Sequence, residues 1–278
     1  MMDAVLGDFQ INNIYDCHFH VFASPEKFSM VQTRGYEPPV LSIKDYRTHS
    51  APLGIKRMVL VQPSCYGSDN RYMLEELAKL GPNGCAVVAV SPNVTSQELA
   101  QMRMAGAREI RVNAVGGSTL SLAQLANIAP QLSLNGLHVQ TFISIGQLPT
   151  VESALLSTGL TIVLDHFGSV DSRLGLDQPT MQSLSRMLKT ERVWVKLSAA
   201  FRISQSAAPY DDLVPFAQAL MNLCPDRLVW GSDWPYVHFI DRLTPDFNPL
   251  HFFINAIEDQ NQRKLLFSDN SKKLYEFE

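Results

Sequence analysis

Apolar positions along the chain follow two alternating patterns. Short runs rich in Val, Ile and Leu, typical of buried strands, are separated by longer segments whose apolar residues recur at helical spacing. The short runs predict strands at 14–20, 56–62, 86–90, 108–112, 137–142, 161–164, 193–197 and 227–231. The longer segments predict helices at 42–50, 69–80, 95–104, 121–134, 147–157, 178–189 and 213–223, with an eighth helix and a further short one within 249–278. Strand and helix therefore alternate throughout.

Strict alternation of strand and helix predicts right-handed βαβ units and a parallel sheet. Eight such units close most naturally into a (β/α)8 TIM barrel, an α/β fold. An open doubly wound sheet is the alternative, but its glycine-rich GxGxxG turn is absent after the first strand. Because no proline- or serine-rich linker or block of charge divides the chain, we expect a single barrel domain over residues 1–278.

Composition narrows the possible functions. Hydrophobic residues make up 46% of the 278 positions, enough for a large buried core, and a net charge of -4 offers no basic surface for nucleic acid. No apolar run reaches the roughly 20 residues that span a bilayer, and residues 1–10 lack a signal-peptide layout. We therefore expect a cytoplasmic protein without a membrane partner. The cysteines have no CxxC spacing, which predicts free thiols rather than disulfides or a cysteine zinc site.

Four residues stand where the predicted strands end. His18 and His20 close the first strand, and because alternate side chains of a strand share one face, both imidazoles should enter the same space. His166 follows the sixth strand and Asp233 the eighth. The active site of a TIM barrel lies at the carboxyl ends of its strands. We therefore predict that these four residues meet at the barrel mouth and carry the chemistry.

Other polar residues fall at the same strand ends and have structural as well as functional interpretations. Arg111 could form a surface salt bridge, Ser64 and Asn113 could cap helices or turns, and Lys196 could face outward between barrel and helices. The proline-containing stretch 24–39 resists a regular assignment, and a loop of this length after the first strand is often a substrate loop.

Three of these strand-end motifs, HFH, LDHFG and WGSDWP, together resemble the amidohydrolase superfamily. Within it the amidohydrolase-2 branch is closest, in particular its 2-pyrone-4,6-dicarboxylate lactonases and the related sugar-acid and muconolactone lactonases. The segments VQPSCYGSDNRYM, GAREIRVN and SDNSKKLYEF extend the resemblance over nearly the whole chain. The resemblance implies opening of a lactone by water, with Asp233 as the base and His18, His20 and His166 polarising the carbonyl.

The resemblance leaves two interpretations of the cofactor. An HxH pair plus an aspartate suits zinc, so His18, His20 and Asp233 could hold a weakly bound ion. Metal-using relatives usually add a lysine on strand four or a histidine on strand five, whereas His138 lies at the far end of its strand here. The resembling dicarboxylate lactonases are thought to work without metal, so we expect no cofactor. A zinc-dependent hydrolase or decarboxylase of the same branch is the alternative.

The guanidinium groups of Arg111 and Arg202 suit a substrate carboxylate, which predicts a carboxylated lactone contacted also by Tyr36, Ser64 and Asn113. Three positions depart from the dicarboxylate lactonase pattern: Thr141, Gly116-Gly117 and Ser169. Two cationic contacts are thereby lost, which favours a lactone with fewer carboxylates, such as a sugar-acid lactone. A barrel that binds a carboxylated metabolite without turning it over is a third hypothesis.

Overall fold

The computed structural model describes residues 13–32, 34–113 and 119–278. Eight strands form one parallel sheet in chain order: β1 (Ile14–Phe19), β2 (Ile55–Val61), β3 (Gly84–Val88), β4 (Ala107–Asn113), β5 (His138–Phe142), β6 (Ile162–Leu164), β7 (Val193–Ser198) and β8 (Leu228–Gly231). Just beyond the last strand, Trp234 bridges to Phe19 in parallel, and the Asp233 amide donates to the His18 carbonyl over 2.7 Å. The sheet therefore curls back on itself, and the predicted (β/α)8 TIM barrel is confirmed.

Helices fill the intervals between strands and the C-terminal region. They are α1 (Ile43–Ser50), α2 (Arg71–Ala78), α3 (Ser96–Met104), α4 (Leu122–Leu134), α5 (Leu148–Ser157), α6 (Pro179–Leu188), α7 (Ala200–Ile203), α8 (Val214–Leu223), α9 (His251–Ala256), α10 (Gln260–Lys264) and α11 (Asn270–Tyr275). Capping boxes at Ser42, Thr95 and Ser121 explain why three helices start where they do, since each hydroxyl accepts the N3 amide that would otherwise be unpaired.

Element boundaries differ from the expectation by one or two residues in several places, and the structure has two short helices that were not predicted. β3 covers Gly84–Val88, two residues earlier than the predicted 86–90. The short helix α7 was not predicted; Ala199, with a φ of 50°, turns the chain abruptly out of β7. The C-terminal region has three short helices rather than two, because a π-helical turn at Leu265–Asp269 joins α10 to α11.

The barrel interior contains a buried charged residue on β7. Lys196 is fully buried, and its ammonium donates to the Cys17 carbonyl and to Gln140 across the barrel, over 2.9 and 2.5 Å. The structural interpretation that placed this lysine outside the barrel is wrong, because its strand neighbours Val195 and Leu197 take the helix-facing positions. No helix among the described residues is long and apolar enough to span a bilayer.

Candidate active site

The HxH pair at the end of β1, with His18 in the strand and His20 one residue after it, places both imidazoles on one side of the barrel mouth. The Nε2 atoms of His18 and His20 lie 3.3 Å apart, as strand parity predicts. The other ring nitrogen of His20, Nδ1, lies 2.8 Å from the Val61 carbonyl. Since a carbonyl only accepts, Nδ1 carries the hydrogen, and the neutral ring therefore presents a lone pair on Nε2.

Asp233 reaches this pair from the end of β8. Its backbone has a φ of 61°, and its amide is bound to the His18 carbonyl, which anchors the turn to β1. Asp233 Oδ1 lies 3.5 Å from His18 Nε2, 3.7 Å from His20 Nε2 and 4.0 Å from His166 Nε2. The structure therefore brings together all four residues predicted to carry the chemistry.

His166 completes the set from the end of β6. Its φ of 47° begins a short left-handed stretch that also includes Phe167 and Gly168. Its Nδ1 lies 2.9 Å from the Ser198 hydroxyl at the end of β7. Backbone strain of this kind persists only where surrounding structure fixes it, and here it directs the imidazole toward Asp233.

Burial and charge fix the ionisation of these groups. Burial lowers the pKa of His18 well below its usual value and lowers that of His166 to about 4, so both rings are neutral at neutral pH. Burial alone would raise the pKa of Asp233, but Arg202 and the imidazoles lower it well below its ordinary range. The site therefore holds one carboxylate among neutral rings.

The donor set fits a divalent metal ion. Two imidazole nitrogens and one carboxylate oxygen, from His18, His20 and Asp233, lie 3.3 to 3.7 Å from one another. Ligands about 2.0–2.1 Å from a tetrahedral zinc ion would be separated by roughly 3.3 Å. His18, His166 and Asp233 also form a group whose ligand atoms all lie within 4.8 Å. Histidine and carboxylate are ligands that zinc prefers, so the residues present suit it.

A cavity of about 130 Å³ opens over this group, and three of the four residues, His20, His166 and Asp233, line it. Its lining comprises His20, Tyr36, Ser64, Arg111, Phe142, His166, Arg202, Asp233, Val237 and His238. Seven of these ten were predicted from sequence. Asn113 belongs to β4, but its side chain lies outside the described part of the structure, as do Gly116 and Gly117. Phe142, Val237 and His238 were not predicted, although the position of His238 five residues after Asp233, in the loop following β8, was a usable signal.

The two arginines of the cavity have different partners. Arg111 Nη1 donates to the Gln62 carbonyl over 2.9 Å, and its buried Nε has no hydrogen-bond partner among the described residues. Arg202 Nε donates to Asp233 Oδ2 over 2.5 Å, and its Nη2 donates to the Val237 carbonyl. Within the described part of the chain Arg111 is thus bound to a backbone carbonyl and to no acidic side chain, whereas Arg202 is directed at the carboxylate of the site itself.

Tyr36 forms one wall of the cavity from the loop between β1 and α1. Its ring packs edge-on against His238, with centroids 4.9 Å apart. Burial raises the pKa of Tyr36, so the phenol keeps its proton and can donate to a ligand. Of the positions that depart from the resembling lactonases, Ser169 is turned away from the cavity, since its hydroxyl donates to the Ile143 carbonyl over 2.6 Å.

A ring of parallel strands with histidines and an aspartate at their carboxyl ends defines a hydrolase-type barrel, and comparisons with known proteins agree. Residues 15–277 match the amidohydrolase family, and the chain belongs to it. It is 30% identical over 266 residues to the 4-sulfomuconolactone hydrolase of Hydrogenophaga intermedia, covering 94% of this chain and 88% of that protein.

Two further relatives extend the comparison. The chain is 29% identical over 271 residues to the 2-pyrone-4,6-dicarboxylate hydrolase of Comamonas testosteroni, covering 94% of this chain and 89% of the relative. A crystal structure from Pseudomonas putida, titled as a 2-pyrone-4,6-dicarboxylic acid hydrolase, superposes with a TM-score of 0.85 at 31% identity, over 97% of this chain and 99% of that one. The resemblance drawn from the three strand-end motifs is confirmed.

Proposed function

We propose that this protein hydrolyses a small lactone that carries an acidic group. The observation that carries the proposal is the contact of Asp233 with three buried imidazoles beneath a cavity that also contains Arg111. A carboxylate among neutral rings can accept a proton from water, and the arginine can bind a substrate anion. Both curated relatives are named for lactones with acidic substituents, which supports the same reaction class.

The reaction needs one proton acceptor that later returns the proton. Water attacks the lactone carbonyl carbon while Asp233 Oδ1 accepts a proton from it, and a new carbon–oxygen bond forms. The ester bond to the ring oxygen then breaks, and the departing alkoxide takes the proton back from Asp233. The product is an open-chain hydroxy acid. His166 can stabilise the negative oxygen by donating from Nε2 when its Nδ1 accepts the Ser198 hydroxyl.

For the cofactor, the donor geometry favours the zinc alternative over the metal-free expectation. His20 presents a lone pair on Nε2, and this atom faces His18 Nε2 and the Asp233 carboxylate at separations that suit one shared cation. His18, His20 and Asp233 would hold the ion, which when bound would polarise the lactone carbonyl. The residues that bind the substrate would remain the same on either route.

The dimensions and charge of the cavity bear on the substrate. A volume of about 130 Å³ admits a single small ring with short substituents. Arg111 supplies one guanidinium without an acidic partner among the described residues, while Arg202 is already bound to Asp233. The phenol of Tyr36 and the hydroxyl of Ser64 add neutral polar contacts. We therefore propose a lactone with one free acidic group and one or more hydroxyls, such as a sugar-acid lactone.

The test is a screen of carboxylated lactones in which proton release reports hydrolysis. We expect turnover of at least one of them, and a loss of kcat on the order of 10²- to 10⁴-fold in Asp233→Asn. Asp226→Asn, at an exposed aspartate paired with Arg227, is the matched control and should keep wild-type rates. Thermal stabilisation by these lactones without product would instead support a binding protein and overturn the proposal.

A further inference from the structure

Beneath the active site, a chain of buried polar groups leads from Lys196 to His18. Lys196, Gln140 and Asp165 are each no more than 1% exposed. Lys196 Nζ donates to Gln140 Oε1, and Gln140 Nε2 donates to Asp165 Oδ2 over 2.8 Å. Asp165 Oδ1 lies 3.3 Å from His18 Nδ1. None of these three residues lines the cavity.

The hydrogen-bonding capacities of these groups leave one consistent arrangement. An ammonium only donates, so Gln140 must direct its oxygen at Lys196 and its amide nitrogen at Asp165. That donor occupies Asp165 Oδ2. Oδ1 is left to face His18 Nδ1 at 3.3 Å, with the Lys196 ammonium further away at 3.8 Å. Within the described parts of the chain, neither Asp165 Oδ1 nor His18 Nδ1 has a hydrogen-bond partner, so each is the remaining complement of the other.

We infer that Asp165, oriented by Gln140 and Lys196, is a positioning residue that fixes His18 in its Nδ1–H tautomer and keeps a lone pair on Nε2 in the active site. A carboxylate behind a ring nitrogen sets both the tautomer and the orientation of the imidazole. The Val61 carbonyl gives His20 the same tautomer. A backbone carbonyl at His20 and a side-chain carboxylate at His18 thus both leave the lone pair on Nε2. The inference rests on the proposed function for its effect on rate, but not for the tautomer itself.

The arrangement makes an unusual prediction for Asp165→Asn. Because Lys196 fixes the orientation of Gln140, the new amide side chain must offer its oxygen to Gln140 and turn its nitrogen toward His18. His18 Nδ1 then becomes an acceptor, and the hydrogen moves to Nε2. We expect kcat to fall about 10- to 100-fold, the usual cost of losing such a partner.

Exchanging the carboxylate of position 165 with the amide of position 140 should restore the wild-type tautomer of His18. In the double variant Gln140→Glu with Asp165→Asn, the glutamate accepts from both Lys196 and the new amide nitrogen, so the oxygen of that amide faces His18 again. The total charge of the pair is unchanged. We expect the double variant to recover the Nδ1–H tautomer and most of the lost rate, whereas disrupted packing alone would add the losses of both substitutions.

The tautomer can be measured directly by 15N NMR of histidine-labelled protein, with His18 assigned from His18→Gln. Spectra are taken of the protein as purified and after dialysis against a chelator, since a metal on Nε2 would impose the same tautomer. Glu109→Gln is the matched control: this buried carboxylate lies 3.9 Å from Lys196 Nζ but is not in contact with His18. We expect it to leave both tautomer and rate unchanged.

Three results would overturn the inference: an Nε2–H tautomer of His18 in the chelated wild type, retention of Nδ1–H in chelated Asp165→Asn, or failure of the charge-exchanged variant to restore Nδ1–H. The first of these is measured on the wild type and does not depend on any variant folding. If no lactone is hydrolysed but the tautomers behave as described, the proposed function fails while the positioning role of Asp165 stands.

Discussion

The guanidinium of Arg202 lies against Asp233, with 2.5 Å between Nε and Oδ2, so the group expected to bind a substrate carboxylate is bound to the proposed base. This ion pair holds the base in its ionised form. It also links α7 to the loop after β8, and Arg202 packs over Phe239, with 4.8 Å from its guanidinium carbon to the ring centroid.

Arg202→Gln should move the pH dependence of the reaction. Burial raises the pKa of Asp233, and Arg202 is the first of the groups that lower it well below its usual value. A base works while deprotonated, so activity is lost as the pH falls through its pKa. Removing Arg202 raises that pKa, and the acidic limb of kcat/KM against pH should shift to higher pH. Arg242→Gln, which also packs on Phe239, should leave the limb unmoved.

Arg111→Met tests the predicted anion contact. A hydrogen bond to a charged group contributes about 1.5–3 kcal/mol, so KM for an acidic lactone should rise roughly 10- to 100-fold. An uncharged lactone with the same ring should show little change, because the proposed contact of Arg111 is with the acidic substituent and not with the ester. Comparing the KM values of the variant for the two substrates shows whether Arg111 binds the acidic substituent. Equal losses for both would show that Arg111 maintains the shape of the cavity.

Removal of metal should abolish most activity. The ligand atoms of His18, His20 and Asp233 have the mutual separations that tetrahedral zinc requires. We expect elemental analysis to find about one divalent ion per chain, with activity lost on chelation and restored by added zinc. Full activity of a metal-free preparation would instead show that the reaction proceeds without a metal ion.

Asp16 should make the fold less stable as the pH rises. Burial raises the pKa of Asp16 to about 6, against the hydrogen bonds from Ser232, the His18 amide and Tyr46. The unfolded chain therefore releases this proton at lower pH than the folded chain, and stability falls as the pH increases from about 4 to about 6. The shift corresponds to about 3 kcal/mol.

Asp16→Asn removes this titration. Its oxygen can keep both backbone contacts of Asp16 Oδ1, from His18 and Ser232, and its amide can donate to the Tyr46 hydroxyl. As the pH increases, the free energy of unfolding of Asp16→Asn should rise relative to that of the wild type. Urea unfolding of both proteins at several pH values measures this difference. A difference that stays constant with pH would contradict the prediction.

Most of the fold followed from the sequence because local and global signals agree in it. Each predicted strand exists, and the parity of His18 and His20 on β1 correctly placed both rings on one face. The carboxyl ends of parallel strands necessarily meet, so separate motifs far apart in sequence could be assigned to one site. These inferences needed only strand order and alternation.

Partnerships between charged groups could not be derived in the same way. The sequence shows that Arg202 and Asp233 lie near the mouth, but not that they pair with each other. Lys196 lies in an apolar strand that could face either way, and only the register of β7 in the ring directs it inward. His238 lies in a loop without periodicity, so its place beside Tyr36 depends entirely on how two loops fold together.

The junction that closes the barrel is made of the same residues as the site. Asp233 and Trp234 are bound to His18 and His20 through their backbones, while the side chains of three of these four residues form the candidate centre. Amide hydrogen exchange of His20 and Asp233 should therefore slow when a ligand binds. Separating β1 from β8 would break these hydrogen bonds and also disrupt the site that holds the ligand.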